Sequence, residues 1–329
     1  MDNDSVLYPL AFYPVYKDKI WGGDRINRLL HKDFSPLKNC GEMWLLSDVD
    51  GEASVVSQGN LADNDINELL NVFFDDLVGE CIFNPDDIHF PLLFKILDAE
   101  QWLSVQVHPN DDIAHEMGLK NGKTEMWHVL HAQPEAKIAL GFNKEISKDE
   151  IKARLEDDTI EAVLNYVNVK QGDTIFIPAG TVHSLGPGIM VAEIQQSSDT
   201  TFRMYDWNRK DANGKTRRLD IDKALQAIDV KAKPIVKHVT PTEFNNRYEL
   251  VDCEKFTTNL IKIKDAVEFT FDTEGTFIVV ISIEGKGTVV ANNVTTTIDV
   301  GECVLIPAVI DKYEIVADEG SMSVLEVYA

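Results

Sequence analysis

The chain has 329 residues, and its 44% of hydrophobic residues suffice for a substantial core in each of about two domains. Its 31 basic and 55 acidic residues give a formal charge of −24 at pH 7, which argues against binding to nucleic acid or to an anionic membrane. No apolar run is long enough to span a bilayer, and the opening sequence MDNDSVLYPL lacks the order of a secretory signal, so we expect a cytoplasmic protein.

The predicted elements begin with strands, because residues 1–58 mix short apolar runs with turn residues. A helix is predicted at 61–80, with Asp63 or Asn64 as its cap. A second helix is predicted at roughly 147–165, where Ser147 and Glu150 have the spacing of a capping box. The rest of the chain reads as short strands, almost without interruption from about residue 235.

Two clusters of polar residues predict a metal site. In the segment GDTIFIPAGTVH, a β run ends at a Pro-Ala-Gly corner, so His183 should start the next strand pointing inward. Gln106 and His108 alternate along a strand-like run and share one face, and Glu125 follows in GKTEMWHVL. Two imidazoles, one carboxylate and one amide oxygen form a shell suited to a divalent ion.

The remaining histidines have a simpler interpretation, since a lone buried histidine is more often a hydrogen-bonded core residue than a ligand. His128 follows Glu125 by three on a predicted strand, faces the opposite side and is assigned a structural role. The same interpretation applies to His31, His89, His115, His131 and His238.

The pattern G-x5-P-x-G-x2-H that ends at His183 resembles the second motif of the cupin family. A wider set of motifs comprises WGG at Trp21, SVQVHP at Ser104, GKTEMW at Gly122, PAGTVHSLG at Pro178 and SSDTTFRMYDW at Ser197. Together they resemble the type I phosphomannose isomerases, well over most of the first 210 residues and weakly over the remainder.

The resemblance implies a reversible isomerisation of mannose 6-phosphate to fructose 6-phosphate through an enediol. It also implies one zinc ion per chain, held by Gln106, His108, Glu125 and His183. Ligand type by itself favours zinc over a redox iron, since there is no thiolate and no facial triad, but leaves Mn, Co and Fe(II) open. The expected partner is thus a sugar phosphate, and its dianion needs a local cationic pocket in so acidic a protein.

The resemblance further implies that Glu193 and Arg203, ten residues apart after the last ligand histidine, belong to the active site. The alternatives are a charge on a solvated strand face for Glu193 and a surface salt bridge for Arg203. Lys123 precedes Glu125 by two, so it should project beside the metal and either shuttle a proton or hold the phosphate or a sugar hydroxyl.

Two more residues are predicted to bind substrate. Ser104 shares the inward face with Gln106, two positions on, and would contact phosphate or sugar. Asp199 would orient Arg203. The alternative is that Asp199 caps a turn, which the sequence Ser197-Ser198-Asp199 favours equally. For the WGG motif at Trp21, a tight turn with a packed aromatic ring is favoured over a ligand contact.

An internal repeat predicts the architecture. Gly301–Pro307 (GECVLIP) repeats the spacing of Gly172–Pro178 (GDTIFIP), but Val309 and Lys312 stand where the first copy has its corner glycine and ligand histidine. The alternative is chance similarity between two β-turn-β stretches. We predict a mainly β bicupin, meaning two β-barrel or jelly-roll domains, with helical insertions in the N-terminal half. Residues 1–234 would form the metal-bearing catalytic domain and 235–329 a metal-free cupin-like barrel.

Two other functions remain open at this point. One is a different cupin metalloenzyme, such as a lyase or a dioxygenase. The other is a non-catalytic cupin that senses carbohydrate, which would need neither four ligands nor the charges of Lys123 and Arg203. The oligomeric state has no signature in the sequence.

Overall fold

The computed structural model describes residues 6–210, 214–270 and 275–329, and within them the chain is mainly β. The strands are β1 Leu10–Ala11, β2 Val15–Lys17, β3 Glu42–Leu46, β4 Leu92–Ala99, β5 Val105–Val107, β6 Glu125–Ala132, β7 Lys137–Phe142, β8 Leu164–Asn168, β9 Asp173–Ile177, β10 His183–Ser184, β11 Ile189–Gln196, β12 Phe202–Tyr205, β13 Ile235–His238, β14 Arg247–Asp252, β15 Thr257–Thr270, β16 Ile278–Glu284, β17 Gly287–Ala291, β18 Val294–Ile298, β19 Cys303–Ile306 and β20 Lys312–Tyr328.

Short helices interrupt the strands. They are α1 Arg25–Leu30, α2 Ile66–Phe73, α3 Asp75–Val78, α4 Asp111–Glu116, α5 Lys148–Glu156 and α6 Ile221–Ala227, with a 3-10 turn at Ile160–Val163. Among the residues that the structure describes, no helix has the length and apolar character needed to cross a membrane.

The sequence predicted one helix cap correctly and another incorrectly. In α5, Ser147 caps as predicted, because its hydroxyl accepts a hydrogen bond from the Glu150 N–H at 3.1 Å. The predicted caps of α2, Asp63 and Asn64, are wrong: Asp65 is the cap and forms a reciprocal capping box with Glu68. Asp63 has a φ of +68° and belongs to the preceding turn.

The strands form three sheets. A five-stranded sheet has the order β12-β5-β10-β7-β8, and a seven-stranded sheet has the order β13-β9-β6-β11-β4-β3-β2. An eight-stranded sheet has the order β1-β19-β16-β20-β15-β14, with β17 paired to both β18 and β20. β10 with β5, β11 with β6, β12 with β5 and β6 with β9 all pair antiparallel.

The chain divides into two compact units, each built from separate segments. The first unit contains Tyr16–Met43 and Lys95–His238, and the second contains Met1–Val15, Trp44–Phe94 and Val239–Ala329. The predicted boundary after residue 234 lies near the last crossing between units. The sequence pattern gave no indication that segments before residue 95 group with the C-terminal part.

In the first unit, the five-stranded sheet is covered on both faces. On one face, Leu140 and Leu185 pack in a buried cluster with Trp127 and Ile175 of the seven-stranded sheet. The other face belongs to a second cluster, in which α5 and α6 cover the apolar residues of β5 and β12. Alternation along β5 therefore leaves Gln106 facing the other sheet, while its two valines pack under the helices.

In the second unit, the segment of the predicted repeat shares one backbone feature with the first copy. Gly301 precedes β19 with a φ of +76°, and Gly172 precedes β9 with a φ of +86°, a region that favours glycine. Lys312 is the first residue of β20, just as His183 is the first residue of β10. A separate buried cluster of strand residues, including Ile261, fills this unit.

Candidate active site

Three buried donors converge in the first unit. Glu125 is the first residue of β6, His183 is the first residue of β10, and His108 directly follows β5. One ligand atom from each lies within 4.8 Å of the others. Glu125 Oε1 is 3.0 Å from His183 Nε2, and Glu125 Oε2 is 3.5 Å from His108 Nε2.

Backbone carbonyls fix both histidine rings. His108 Nδ1 lies 2.8 Å from the carbonyl oxygen of Thr200, and His183 Nδ1 lies 2.9 Å from that of Thr181. Because a carbonyl only accepts, each Nδ1 must carry the proton, and each Nε2 presents a lone pair to the carboxylate. A lone pair 3.0 Å from a carboxylate oxygen is repulsive, and a cation shared between them would relieve that repulsion.

The carboxylate itself also fits a cation. Glu125 is fully buried, and although Lys123 Nζ lies 2.7 Å from Oε2, neither oxygen accepts a well-directed hydrogen bond from the described residues. Burial raises the Glu125 pKa, but the ammonium group of Lys123 outweighs burial and holds that pKa well below its usual range. Burial, and then Lys123, lower the pKa of His108. Glu125 and His108 are therefore deprotonated at neutral pH, as a metal requires.

Strand register places Gln106 and Arg203 beside these donors. Gln106 is the register partner of His183 on β10 and of Arg203 on β12. The three side chains therefore stand abreast on one face of the five-stranded sheet. The Gln106 amide nitrogen is 3.3 Å from His183 Nε2, and its oxygen accepts a hydrogen bond from Ser104 Oγ at 3.3 Å.

Glu193 is buried rather than solvated, with 3% of its surface exposed. It is the register partner of Trp127, whose indole Nε1 donates to Glu193 Oε1 at 2.9 Å. Lys95 Nζ lies 3.6 Å from Glu193 Oε2. Sequence reasoning missed Lys95, although a single lysine in the apolar run FPLLFKILDA is a signal: a buried cation in a strand needs partners.

Lys123 lies before β6 and is 4% exposed. Its ammonium is 2.7 Å from Glu125 Oε2 and 3.4 Å from His108 Nε2. Burial lowers its pKa, but the attraction of Glu125 and then of Glu193 outweighs burial, so the Lys123 pKa is raised. The side chain is a fixed positive charge beside the three donors.

Arg203 is partly buried between two core residues of β12. Its Nη1 donates to the carbonyl oxygen of Arg218 at 3.0 Å, while its buried Nε has no hydrogen-bond partner in the described residues. Burial, and then the nearby Arg217, lower its pKa. Asp199 is more than half exposed, and its charged neighbour is Lys95 at 3.8 Å. The expected orienting contact from Asp199 to Arg203 is not among the contacts of the described residues.

A cavity of about 270 Å³ adjoins the three donors through Gln106 and Lys123, which line it and contact them. Its lining carries five cationic side chains and three carboxylates, so the lining is net cationic in a chain whose formal charge is −24. This is the kind of local field that an anionic ligand needs. The charged lining residues are Lys19, Glu42, Lys95, Lys123, Glu193, Asp199, Arg203 and Arg217.

Other lining residues include Trp21, which is buried and also packs in the core, and Ser104 and Gln106. Sequence reasoning did not identify Lys19, Glu42 or Arg217, since none of them lies in a strand of the metal cluster. His128 faces away from the cavity, and its Nδ1 lies 3.0 Å from Thr174 Oγ1. It has the structural environment that its position in the strand predicted.

A buried histidine–carboxylate cluster under a cationic cavity, in a mainly β unit, is the arrangement of a metal-dependent enzyme for small anionic substrates. The family model "Phosphomannose isomerase type I, catalytic domain" matches residues 10–141, and "Mannose-6-phosphate isomerase, cupin domain" matches residues 246–329. The chain therefore belongs to the type I phosphomannose isomerase family.

Individual relatives agree. The chain is 35% identical over 309 residues to mannose-6-phosphate isomerase ManA of Bacillus subtilis, covering 91% of this chain and 93% of the relative. It is 39% identical over 222 residues to mannose-6-phosphate isomerase of Streptococcus mutans, covering 68% of each. The resemblance read from the motifs is confirmed, and the cupin match extends it into the C-terminal part.

Solved structures show the same fold. The crystal structure of mannose 6-phosphate isomerase from Bacillus subtilis has a TM-score of 0.84 and 29% identity, covering 98% of this chain and all of that one. A variant of phosphomannose isomerase from Salmonella typhimurium has a TM-score of 0.76 over 98% and 99% of the two chains. Its identity of 15% supports the fold alone.

Proposed function

We propose that the protein interconverts mannose 6-phosphate and fructose 6-phosphate by moving a proton between C1 and C2 of the open-chain sugar. The observation that carries the proposal is the convergence of two oriented imidazoles and a buried carboxylate at a cavity with a net cationic lining. Family membership supplies the substrate, because the relatives that cover most of this chain are named for this reaction.

The ion is proposed to be one Zn²⁺ per chain. His108, Glu125 and His183 would hold it, with Gln106 joining them when its amide oxygen, rather than its nitrogen, faces the cluster. When bound, the ion would supply a Lewis acid that polarises a substrate oxygen. Two histidines and one glutamate form a donor set that catalytic zinc uses, and the family resemblance decides the choice of zinc.

Proton movement and charge stabilisation fall to the surrounding side chains. Glu193 is proposed to take part in proton transfer, because Trp127 fixes one carboxylate oxygen and leaves the other on the cavity side with Lys95. Arg203, abreast of Gln106, is proposed to stabilise the negative charge that develops on the enediol oxygens. Lys123 would hold the substrate and assist proton transfer from beside Glu125.

Substrate binding is proposed to involve Ser104 and Asp199 as well. Ser104 lines the cavity two residues before Gln106, and its hydroxyl can turn from the amide to a substrate oxygen. Asp199 lines the same cavity and is exposed enough to accept a hydrogen bond from a sugar hydroxyl.

The bicupin architecture is proposed on the basis of the internal repeat, Gly172–Pro178 and Gly301–Pro307. The positive-φ glycine, the short strand and the proline recur before β20, and Lys312 occupies the position of the ligand histidine. The C-terminal part would then be a metal-free barrel that supports the fold, and residues 1–234 would carry the catalytic part of the chain.

One experiment tests the reaction directly. Metal content is measured on purified protein, and isomerase activity is then assayed on a small panel of hexose and pentose phosphates. We expect about one equivalent of metal and the highest kcat/KM on mannose 6-phosphate. Metal-loaded protein that isomerises none of the panel would contradict the proposal; binding without turnover would indicate a sensor instead.

A further inference from the structure

An arginine cluster stands at one end of the cavity, outside the residues assigned so far. Asp206 follows β12 and is 6% exposed. Arg217 donates to it from Nε at 2.7 Å and also from Nη2, and Arg209 donates from Nη2 at 2.6 Å. Burial raises the Asp206 pKa, but the two arginines outweigh burial and hold it below its usual value. The single carboxylate of Asp206 therefore accepts hydrogen bonds from two guanidinium groups.

Register fixes where this cluster lies relative to the metal donors. β12 runs antiparallel to β5, with Arg203 opposite Gln106 and Tyr205 opposite Val105. The next residue, Asp206, is therefore at the Ser104 end of β5. Ser104 precedes Gln106 by two positions, a displacement of roughly 7 Å along the sheet. A sugar with its reacting carbons at the donor row and its chain directed toward Ser104 would bring its far end toward Arg217.

Charge distinguishes Arg217 from the three lysines of the cavity. Lys19 is paired with Glu42 at 3.0 Å, and Lys95 and Lys123 have the glutamate partners described above. Arg217 shares Asp206 with a second arginine, so this end of the cavity has an excess of positive charge. Asp206 engages Nε and Nη2, which orients the guanidinium and leaves Nη1 for a ligand.

We propose that Arg217, held by Asp206, binds the terminal phosphate of the substrate and so selects phosphomonoesters over free sugars. The identity of the sugar rests on the proposed function; the phosphate contact does not. A guanidinium whose fork is already oriented loses little conformational freedom when the ligand binds, and a guanidinium–phosphate contact is a strong charge-assisted hydrogen bond.

The test compares Arg217→Gln with Arg218→Gln. The neighbouring Arg218 side chain is 83% exposed and pairs with Asp220, so it is a control of equal charge change. Inorganic phosphate is titrated into each metal-loaded protein by calorimetry, and kcat and KM are measured for mannose 6-phosphate and for unphosphorylated mannose. Metal content and thermal unfolding are checked first.

For Arg217→Gln, we expect phosphate affinity to fall and KM for mannose 6-phosphate to rise roughly 10- to 100-fold, the range for losing one charge-assisted hydrogen bond. Its kcat, and any activity on mannose, should stay within about twofold of wild type, because the contact is equal in ground and transition states. Arg218→Gln should match wild type throughout. The phosphate affinity and KM of Arg217→Lys should lie between those of wild type and Arg217→Gln, because lysine keeps the charge but lacks the planar guanidinium group.

The proposal would be overturned if Arg217→Gln bound phosphate as tightly as Arg218→Gln does. It would also be overturned if Arg217→Gln lost kcat/KM equally on mannose and on mannose 6-phosphate. If no variant, wild type included, isomerises any sugar phosphate, the proposed function fails while the phosphate titration still decides the role of Arg217. If Arg217→Gln unfolds below the assay temperature, Arg217→Lys with wild-type phosphate affinity would overturn the proposal in its place.

Discussion

Replacing His183 by alanine should abolish metal binding. The side chain is fully buried, and its Nε2 is one of three donor atoms that the structure brings together. Losing only an outer hydrogen-bond partner of a ligand costs about 10- to 100-fold in metal affinity, so removing the donor should cost more than about 100-fold. The contact of Nδ1 with the Thr181 carbonyl is lost as well, and Glu125 keeps its contacts with Lys123 and His108.

The assay is elemental analysis of purified wild type and His183→Ala, followed by zinc titration of chelator-treated protein and measurement of kcat. His128→Ala is the matched control, because His128 is an equally buried imidazole that contacts Thr174 instead of the cluster. The control should lose stability and keep about one equivalent of metal. A fully active His183→Ala enzyme with no bound metal would refute the reasoning, and so would equal metal loss in both variants.

Four further outcomes are expected. Arg203→Ala should lower kcat by roughly 10² or more, the scale for one preorganised charge stabiliser; a normal kcat with raised KM would assign Arg203 to substrate binding. Lys123→Ala, with zinc content checked first, should raise KM proportionately more than it lowers kcat, and the reverse would contradict its holding role. Lys312→Ala should keep metal and turnover near wild type, since a loss of metal with the fold intact would mean that the repeat is assigned wrongly. Burial, and then His238, lower the pKa of His128 from 6.5 to about 4. The unfolded chain therefore binds this proton first, and stability present above about pH 6.5 is lost as the pH falls toward 4, by up to about 3 kcal/mol. In urea unfolding, His128→Asn should lose less stability than wild type over this range, and an equal loss would rule out His128 as the cause.

Local chemistry explains what could be predicted. Pro178 and Gly180 form a corner within one short segment, so the sequence alone predicted that β10 begins at His183 with its side chain pointing inward. Spacing by two residues likewise predicted that Gln106 shares a strand face with His108, and that Glu125 shares one with Lys123. Such patterns need no knowledge of which strands pair.

Register explains what could not be predicted. The row of Arg203, Gln106 and His183 depends on three strands that are distant in sequence, and no local pattern specifies their alignment. The same is true of the indole of Trp127 against Glu193, and of Arg217, which reaches the cavity from a loop. Motif resemblance named Glu193 and Arg203, whereas only the fold supplies their partners.

The pairing of β1 with β19 has a consequence for synthesis and for fragments. Leu10 pairs with Leu305 and Ala11 with Val304, so β1 cannot form this pairing during synthesis until β19 has been made. A fragment limited to the cupin match at 246–329 would contain β19 without β1. The apolar sequence CVLI would then form an unpaired sheet edge, the kind of surface that recruits other chains into aggregates. Supplying the LA segment of β1 in such a fragment would close that edge.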